Sequence, residues 1–127
     1  KDRPKWARGR TIGYHVLEKL VARNDHLVQL GSQNQSQQKW INETASYQRA
    51  GKGLKGVEGV RAPSISIGKY MERIYKYTNC SPSCVVVGYV YIDRLVHKYP
   101  DSLVVSLNVH RLLVTCVMVA SKMLDDV

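Results

Sequence analysis

The apolar residues of this chain fall into blocks, and each block repeats at a helical period. Between Thr11 and Leu30, Ile12, Val16, Leu17, Leu20, Val21, Leu27 and Val28 can share one face, with Glu18, Lys19 and Arg23 off it. Thr11 is placed to cap this helix and Gly31 to stop it. Residues 32–58 lose the pattern. Ser32–Lys39 is rich in Gln, Ser and Asn, then Gly51, Gly53 and Gly56 follow, and no sustained apolar face exists. This stretch predicts a flexible polar and glycine-rich linker. Order returns at 64–79, where Ile67, Tyr70, Met71, Ile74 and either Tyr77 or Thr78 follow the i, i+3, i+4, i+7 rule, with Ser66 as cap. Ser81 as N-cap and Pro82 at the first helical position start the next helix, which runs to Lys98 ahead of Pro100. Ser106 begins a last helix, apolar on nearly every face from Leu107 to Leu124.

Val85–Val87 and Val117–Val119 have strand-like composition, but block length decides against strands. Each apolar block spans about 17 to 20 residues between breakers, whereas strands usually run about 5 or 6. The expectation is an all-α fold with central helices 82–98 and 106–126, flanked by 66–79. Helices that are apolar all round are expected to be buried. The domain boundaries that follow are a basic tail at 1–10, an amphipathic helix at 11–31, a linker at 32–58 and a helical domain at 59–127.

Composition agrees with a globular chain: 44% of the 127 residues are hydrophobic and 23% charged. The formal net charge of +9 raises nucleic-acid binding as a possible function. Its distribution argues against that. Residues 1–61 hold twelve Lys/Arg against five Asp/Glu, while 62–127 hold seven against five. The excess belongs to the front, where Lys1, Arg3, Lys5, Arg8 and Arg10 read as a solvated arm rather than a sequence reader. The longest apolar run, Leu112–Ala120, is well short of the roughly 20 residues of a membrane span. Cys80, Cys84 and Cys116 make no disulfide framework, and the first ten residues lack the apolar core of a signal peptide. Together these readings predict a soluble intracellular protein.

Catalytic and cofactor chemistry finds little support. Gly51–Gly56 matches GxGxxG, but the dinucleotide-binding form needs a strand before it and a helix after it. Cys80 and Cys84 with His97 and His110 have zinc-ligand residue types, yet Cys84 and Cys116 sit inside apolar helices and read as buried structural thiols. Asn42-Glu43-Thr44 has the form of a glycosylation sequon, meaningful only in a secreted chain. No nucleophile–base set and no paired carboxylates stand out, so neither enzyme activity nor a cofactor is expected. Two charged features remain. Asp93 lies in the middle of an apolar helix, where a charge costs several kcal/mol unless paired, and Arg73 is the expected partner in a buried pair. Lys122 lies near the end of the last helix, with Asp125 and Asp126 at i+3 and i+4.

Six strings carry a family resemblance: Pro63–Ile67, Tyr70–Ile74, Asn79–Cys84, Tyr91–Arg94, Asn108–Leu113 and Ser121–Asp126. In this order and spacing they closely resemble the plant P/U-type cyclins, a group related to the fungal phosphate-signalling cyclins. The match is nearly continuous from Gly59 to Val127. Leu17–Asp25 also resembles the short helix that precedes the cyclin box, whereas 1–10 and much of 32–58 match nothing in the family.

The resemblance implies a five-helix box in which 66–79, 82–98 and 106–126 are the first three helices, with the chain ending where the family continues. It implies a non-catalytic subunit that binds and activates a cyclin-dependent kinase, in cell division or phosphate-linked signalling, in the nucleus or cytoplasm. On that basis Lys122 hydrogen-bonds the kinase, Met123 packs beside it where relatives often carry Phe, and Asp126 joins the contact. The Glu that completes this clamp in relatives would lie in the fifth helix. The substrate-docking patch of cell-cycle cyclins would fall near Pro63–Ile67, which carries no Arg. The competing expectations are a nucleic-acid-binding module acting through the N-terminal arm, and a cyclin fragment unable to activate a kinase. With two apolar helices lacking later cover, such a fragment is expected to self-associate.

Overall fold

The computed structural model describes the backbone of residues 5–45 and 62–125, and the side chains of 15–45 and 62–124. Among the described residues there are five helices and no strand: α1 (Lys5–Gln29), α2 (Gln35–Thr44), α3 (Ile67–Thr78), α4 (Pro82–Lys98) and α5 (Val109–Asp125). The all-α expectation holds, and the last three helices fall on the three expected blocks.

α1 differs at its start. It begins at Lys5 and already passes through Thr11, so helix replaces the expected tail over residues 5–10. Its end follows the sequence. Gly31 takes the left-handed conformation at φ 70°, its N–H donates to the Val28 carbonyl at 3.0 Å, and the Ser32 N–H donates to Leu27 at 3.0 Å. The buried stripe of α1 is Leu17, Val21 and Asn24. Val16 is instead 64% exposed, and the side chain of Ile12 lies outside the described residues.

α2 occupies the first half of the expected linker. Asn34 accepts from the Gln37 N–H at 2.8 Å, and the Gln37 side chain accepts from the Asn34 N–H at 2.9 Å, a reciprocal capping box. Two large apolar residues then fasten this polar helix. Ile41 is fully buried, and Trp40 donates its indole N–H to the Leu103 carbonyl at 2.9 Å.

Local signals set the other boundaries. Ser66 caps α3 by accepting from the Lys69 N–H at 3.2 Å. Asn79 closes α3 at φ 50°, and its N–H donates to Tyr75 at 3.0 Å. Pro82 opens α4. Tyr99, extended as a residue before proline tends to be, ends it.

The core lies where α3, α4 and α5 meet α1. Met71 and Ile74 of α3, Cys84, Val85 and Ile92 of α4, and Val109, Leu113, Val117 and Ala120 of α5 form one cluster with Leu17 and Val21. Each fully buried aliphatic chain here contributes roughly 1.5–3 kcal/mol. α4 and α5 approach closely because Gly88 faces Val117. A methyl on Gly88 would stand 2.9 Å from Val117 Cγ2.

Residues 99–108 join these two helices without regular structure, so their backbone polar groups need side-chain partners. Asn24 of α1 donates to the Val104 carbonyl at 2.9 Å. Asp25 accepts from the Ser106 N–H at 3.0 Å and from the Ser106 hydroxyl. The fully buried Asn108 is the centre of the arrangement. Its Oδ1 accepts from the Val105 N–H at 2.8 Å, and its Nδ2 donates to Leu103 at 2.9 Å and to the Thr44 hydroxyl at 3.0 Å. Arg111 adds a bond to the Ala45 carbonyl at 3.2 Å. The connection is thus sewn to α1, α2 and α5.

The expectation of a buried Asp93–Arg73 pair is corrected. Asp93 has a 70% exposed side chain and Arg73 is exposed as well. Asp93 meets His97, one turn on, at 3.4 Å, and His97 Nδ1 also lies 2.7 Å from the Asp93 carbonyl. Along α4, Val86, Val90, Asp93 and His97 recur at i, i+4, i+7 and i+11 and form the solvent stripe. The core stripe is Val85, Gly88 and Ile92, so Asp93 sits about 100° around the helix from the buried face.

Candidate functional site

α4 and α5 are apolar on more faces than the core uses. Val86 and Val90 on α4 and Met118, Val119, Met123 and Leu124 on α5 are exposed. These helices are therefore not buried all round as their composition suggests. The buried stripe of α5 is Val109, Leu113, Val117 and Ala120. Next to it run Val119 and Met123, and one step further Met118 and Lys122, each pair separated by one turn.

The last turn of α5 gathers these features. Met123 is 64% exposed, yet its sulfur is held, because Tyr91 of α4 donates its hydroxyl to Met123 Sδ at 3.1 Å. Lys122 is exposed beside it, in the helix's C-terminal turn, where a cation suits the helix dipole. Lys122 and Met123 are thus brought together as neighbours at one accessible helix end. Asp126 lies outside the described residues, and so does the side chain of Asp125. Tyr91 is the residue that sequence reasoning left out of this site. Its signal was its place in the Tyr91–Arg94 string, but nothing local shows that its hydroxyl crosses to the neighbouring helix.

The other candidates do not assemble. None of Cys80, Cys84 and Cys116 is in a disulfide. Ser81 and Cys84 share a hydrogen bond at 3.3 Å, and burial pushes the Cys80 and Cys116 thiols up. No group of three metal-ligating side chains occurs among the described residues. His97 is on the surface. His110 is buried, donates Nε2–H to the Ile65 carbonyl at 2.8 Å and packs edge-on against Tyr70 at 4.9 Å. The Gly51–Gly56 motif lies outside the described residues. No helix, among the described residues, is long and apolar enough to cross a membrane.

Among the described residues, the last turn of α5 thus presents a held methionine and an exposed lysine at the end of a partly exposed apolar helix. The sequence model of the cyclin family matches residues 13–127, and this chain belongs to that family. Within it the resemblance is to the plant P/U type. The chain is 63% identical to cyclin-U1-1 of Arabidopsis thaliana over 117 residues, covering 92% of this chain and 48% of that protein. It is 60% identical to cyclin-U4-1 of the same plant over 68 residues, 54% of this chain and 34% of the relative. To cyclin-P1-1 of rice, Oryza sativa subsp. japonica, it is 39% identical over 112 residues, 87% of this chain and 39% of the relative. The chain therefore spans about a third to a half of the length of these relatives. No solved structure matches.

Proposed function

We propose that this chain is the part of a cyclin regulatory subunit that grips a cyclin-dependent protein serine/threonine kinase through the last turn of α5. The reading rests most on the composition of that end. Met118, Met123 and Leu124 are exposed around Lys122, and the Tyr91 hydroxyl limits the freedom of Met123. An exposed apolar group already restrained in the free protein loses less entropy on binding. A lysine beside it can donate to the carbonyls at a kinase helix end. Asp126 belongs to the same contact.

On this reading the chain performs no chemistry of its own and needs no cofactor or small-molecule substrate. It binds the kinase conformation in which the helix glutamate meets the ATP-binding lysine better than the other conformation, and its differential affinity shifts the equilibrium. It acts in the nucleus or cytoplasm, in cell division or phosphate-linked signalling.

The test is co-purification with a cyclin-dependent kinase. Lys122→Glu and Met123→Asp, both at exposed positions, should each reduce recovery by about tenfold or more, as loss of a central interface residue does. Lys19→Glu, on the exposed side of α1, should leave it unchanged. Equal recovery of all three variants would overturn the proposal.

A further inference from the structure

Part of the expected basic tail is helix, and this brings its cationic positions into register with others further along α1. The backbone positions of Lys5 and Arg8 fall on the same line of the helix as His15, Lys19, Arg23 and His26. At 3.6 residues per turn these six positions lie within about 80° of arc and extend over about 32 Å of the axis. The side chains of His15, Lys19, Arg23 and His26 are exposed. Leu17, Val21 and Asn24, the buried stripe, lie on the opposite side of the helix.

The carboxylates of α1 are off this line. Asp25 is turned onto Ser106 and accepts from its N–H at 3.0 Å, and Glu18 borders the cleft between α1 and the 62–67 segment. Among the described residues the one ion pair is His97–Asp93, so Lys19 and Arg23 have no carboxylate partner there. The line is also carried by an anchored element. Leu17 and Val21 belong to the core, and Asn24 donates to the Val104 carbonyl at 2.9 Å. Positions 5 and 8 precede residue 13, where the match to the cyclin model begins.

We propose that the outer side of α1 docks on the phosphates of double-stranded DNA without reading its sequence. A straight cationic ridge of this length needs an anion of comparable length and dense charge, and duplex DNA carries one negative charge per about 1.7 Å of its axis. The B-form major groove, about 12 Å wide, admits a helix of about 10–12 Å diameter, whereas the deep, narrow major groove of duplex RNA does not. Lys19 and Arg23 then meet phosphate oxygens, and His15 and His26 add ring N–H donors. A membrane-lying helix would need its apolar face free, and here that face is buried in the core. Val16, at the margin of the line, is a single exposed valine. The contact does not rest on the kinase reading, because the line faces away from the core that α5 enters.

The experiment measures fluorescence anisotropy of a labelled DNA duplex of mixed sequence, about 20 base pairs long, against the full chain over a series of salt concentrations starting near about 50 mM. Two double variants remove the same charge from exposed positions: Lys19→Gln with Arg23→Gln on α1, and Lys69→Gln with Arg73→Gln on α3. The α1 variant should weaken binding about tenfold and make the slope of log K against log salt shallower by about 2, one for each lost phosphate contact. The α3 variant should weaken binding less than about threefold. The charge-preserving swap Lys19→Arg with Arg23→Lys should bind as the parent chain does, which separates a lost contact from a damaged fold. Equal losses in the two neutralised variants would overturn the proposal, since net charge alone would then attract the duplex. So would a Kd weaker than about 100 μM for the parent chain at the lowest salt. Tighter binding of an RNA duplex, of polyglutamate or of vesicles containing phosphatidylserine would overturn it as well.

Discussion

Replacing Gly88 by Ala tests the close approach of α4 and α5. In an exposed helix the change would be favourable by about 1 kcal/mol, from reduced backbone freedom. Here the added methyl would lie 2.9 Å from Val117 Cγ2, with the Val117 amide and Cα at 3.5 and 3.6 Å behind it. Val117 is fully buried, and its branched side chain has essentially one rotamer in a helix, so it cannot turn away. Overpacking of this kind costs about 1–3 kcal/mol. The balance is a net loss of about 1 kcal/mol for Gly88→Ala. In a Val117→Ala background the obstructing atom is gone and the nearest contacts are ordinary. There Gly88→Ala should stabilise by about 1 kcal/mol, giving a coupling energy of about 2 kcal/mol. Urea unfolding of the four proteins of this cycle, followed by far-UV circular dichroism, measures all the terms. If Gly88→Ala stabilises the parent chain by the full helix-propensity gain and the coupling is near zero, the helices are not in contact here and the reasoning fails.

Further outcomes follow from the same geometry. Asn108→Leu preserves volume but removes three hydrogen bonds of a buried side chain and strands the Val105 N–H, so the unfolding free energy should drop by about 2–4 kcal/mol in urea titrations. Asp93→Asn should change stability by less than about 0.5 kcal/mol, because its carboxylate is largely in water. A buried Asp93 would instead have made that variant strongly perturbing. Burial holds the Cys80 and Cys116 thiols protonated in the folded state at pH values where the unfolded chain ionises. Their contribution to stability is therefore full below the ordinary thiol pKa of 9.0 and declines as pH rises past it. Unfolding free energies measured from neutral to alkaline pH should fall above that value, and Cys80→Ala with Cys116→Ala should flatten the fall.

Much of the helical framework was legible because its punctuation is local. Ser66 acts on the adjoining turn through its hydroxyl, Asn79, Ser81-Pro82, Pro100 and Gly31 act through their own backbone, and α3 and α4 begin and end where these residues say. α2 was not legible as a helix, since its ten residues include only Trp40 and Ile41 as large apolar anchors. The Asn34–Gln37 capping box was a usable signal. What makes α2 a docked element is Trp40 reaching Leu103, a contact 63 residues away.

Asp93 was misread for a different reason. Apolar composition all around α4 suggested burial on every side, whereas the structure gives Val86 and Val90 to solvent and Asp93 falls on their stripe. Of the candidate site, Lys122 and Met123 were readable through family strings. The Tyr91–Met123 contact depends on which helix faces meet, which periodicity within one helix does not specify.

The central claim is that the last turn of α5 touches a cyclin-dependent kinase, and site-specific photocrosslinking tests it most directly. A photoreactive residue at position 123 should crosslink to the kinase's small-lobe helix. The same group at position 77, where Tyr77 is 87% exposed on α3, should not. Crosslinks from 77 and none from 123, in a complex that forms normally, would contradict the account.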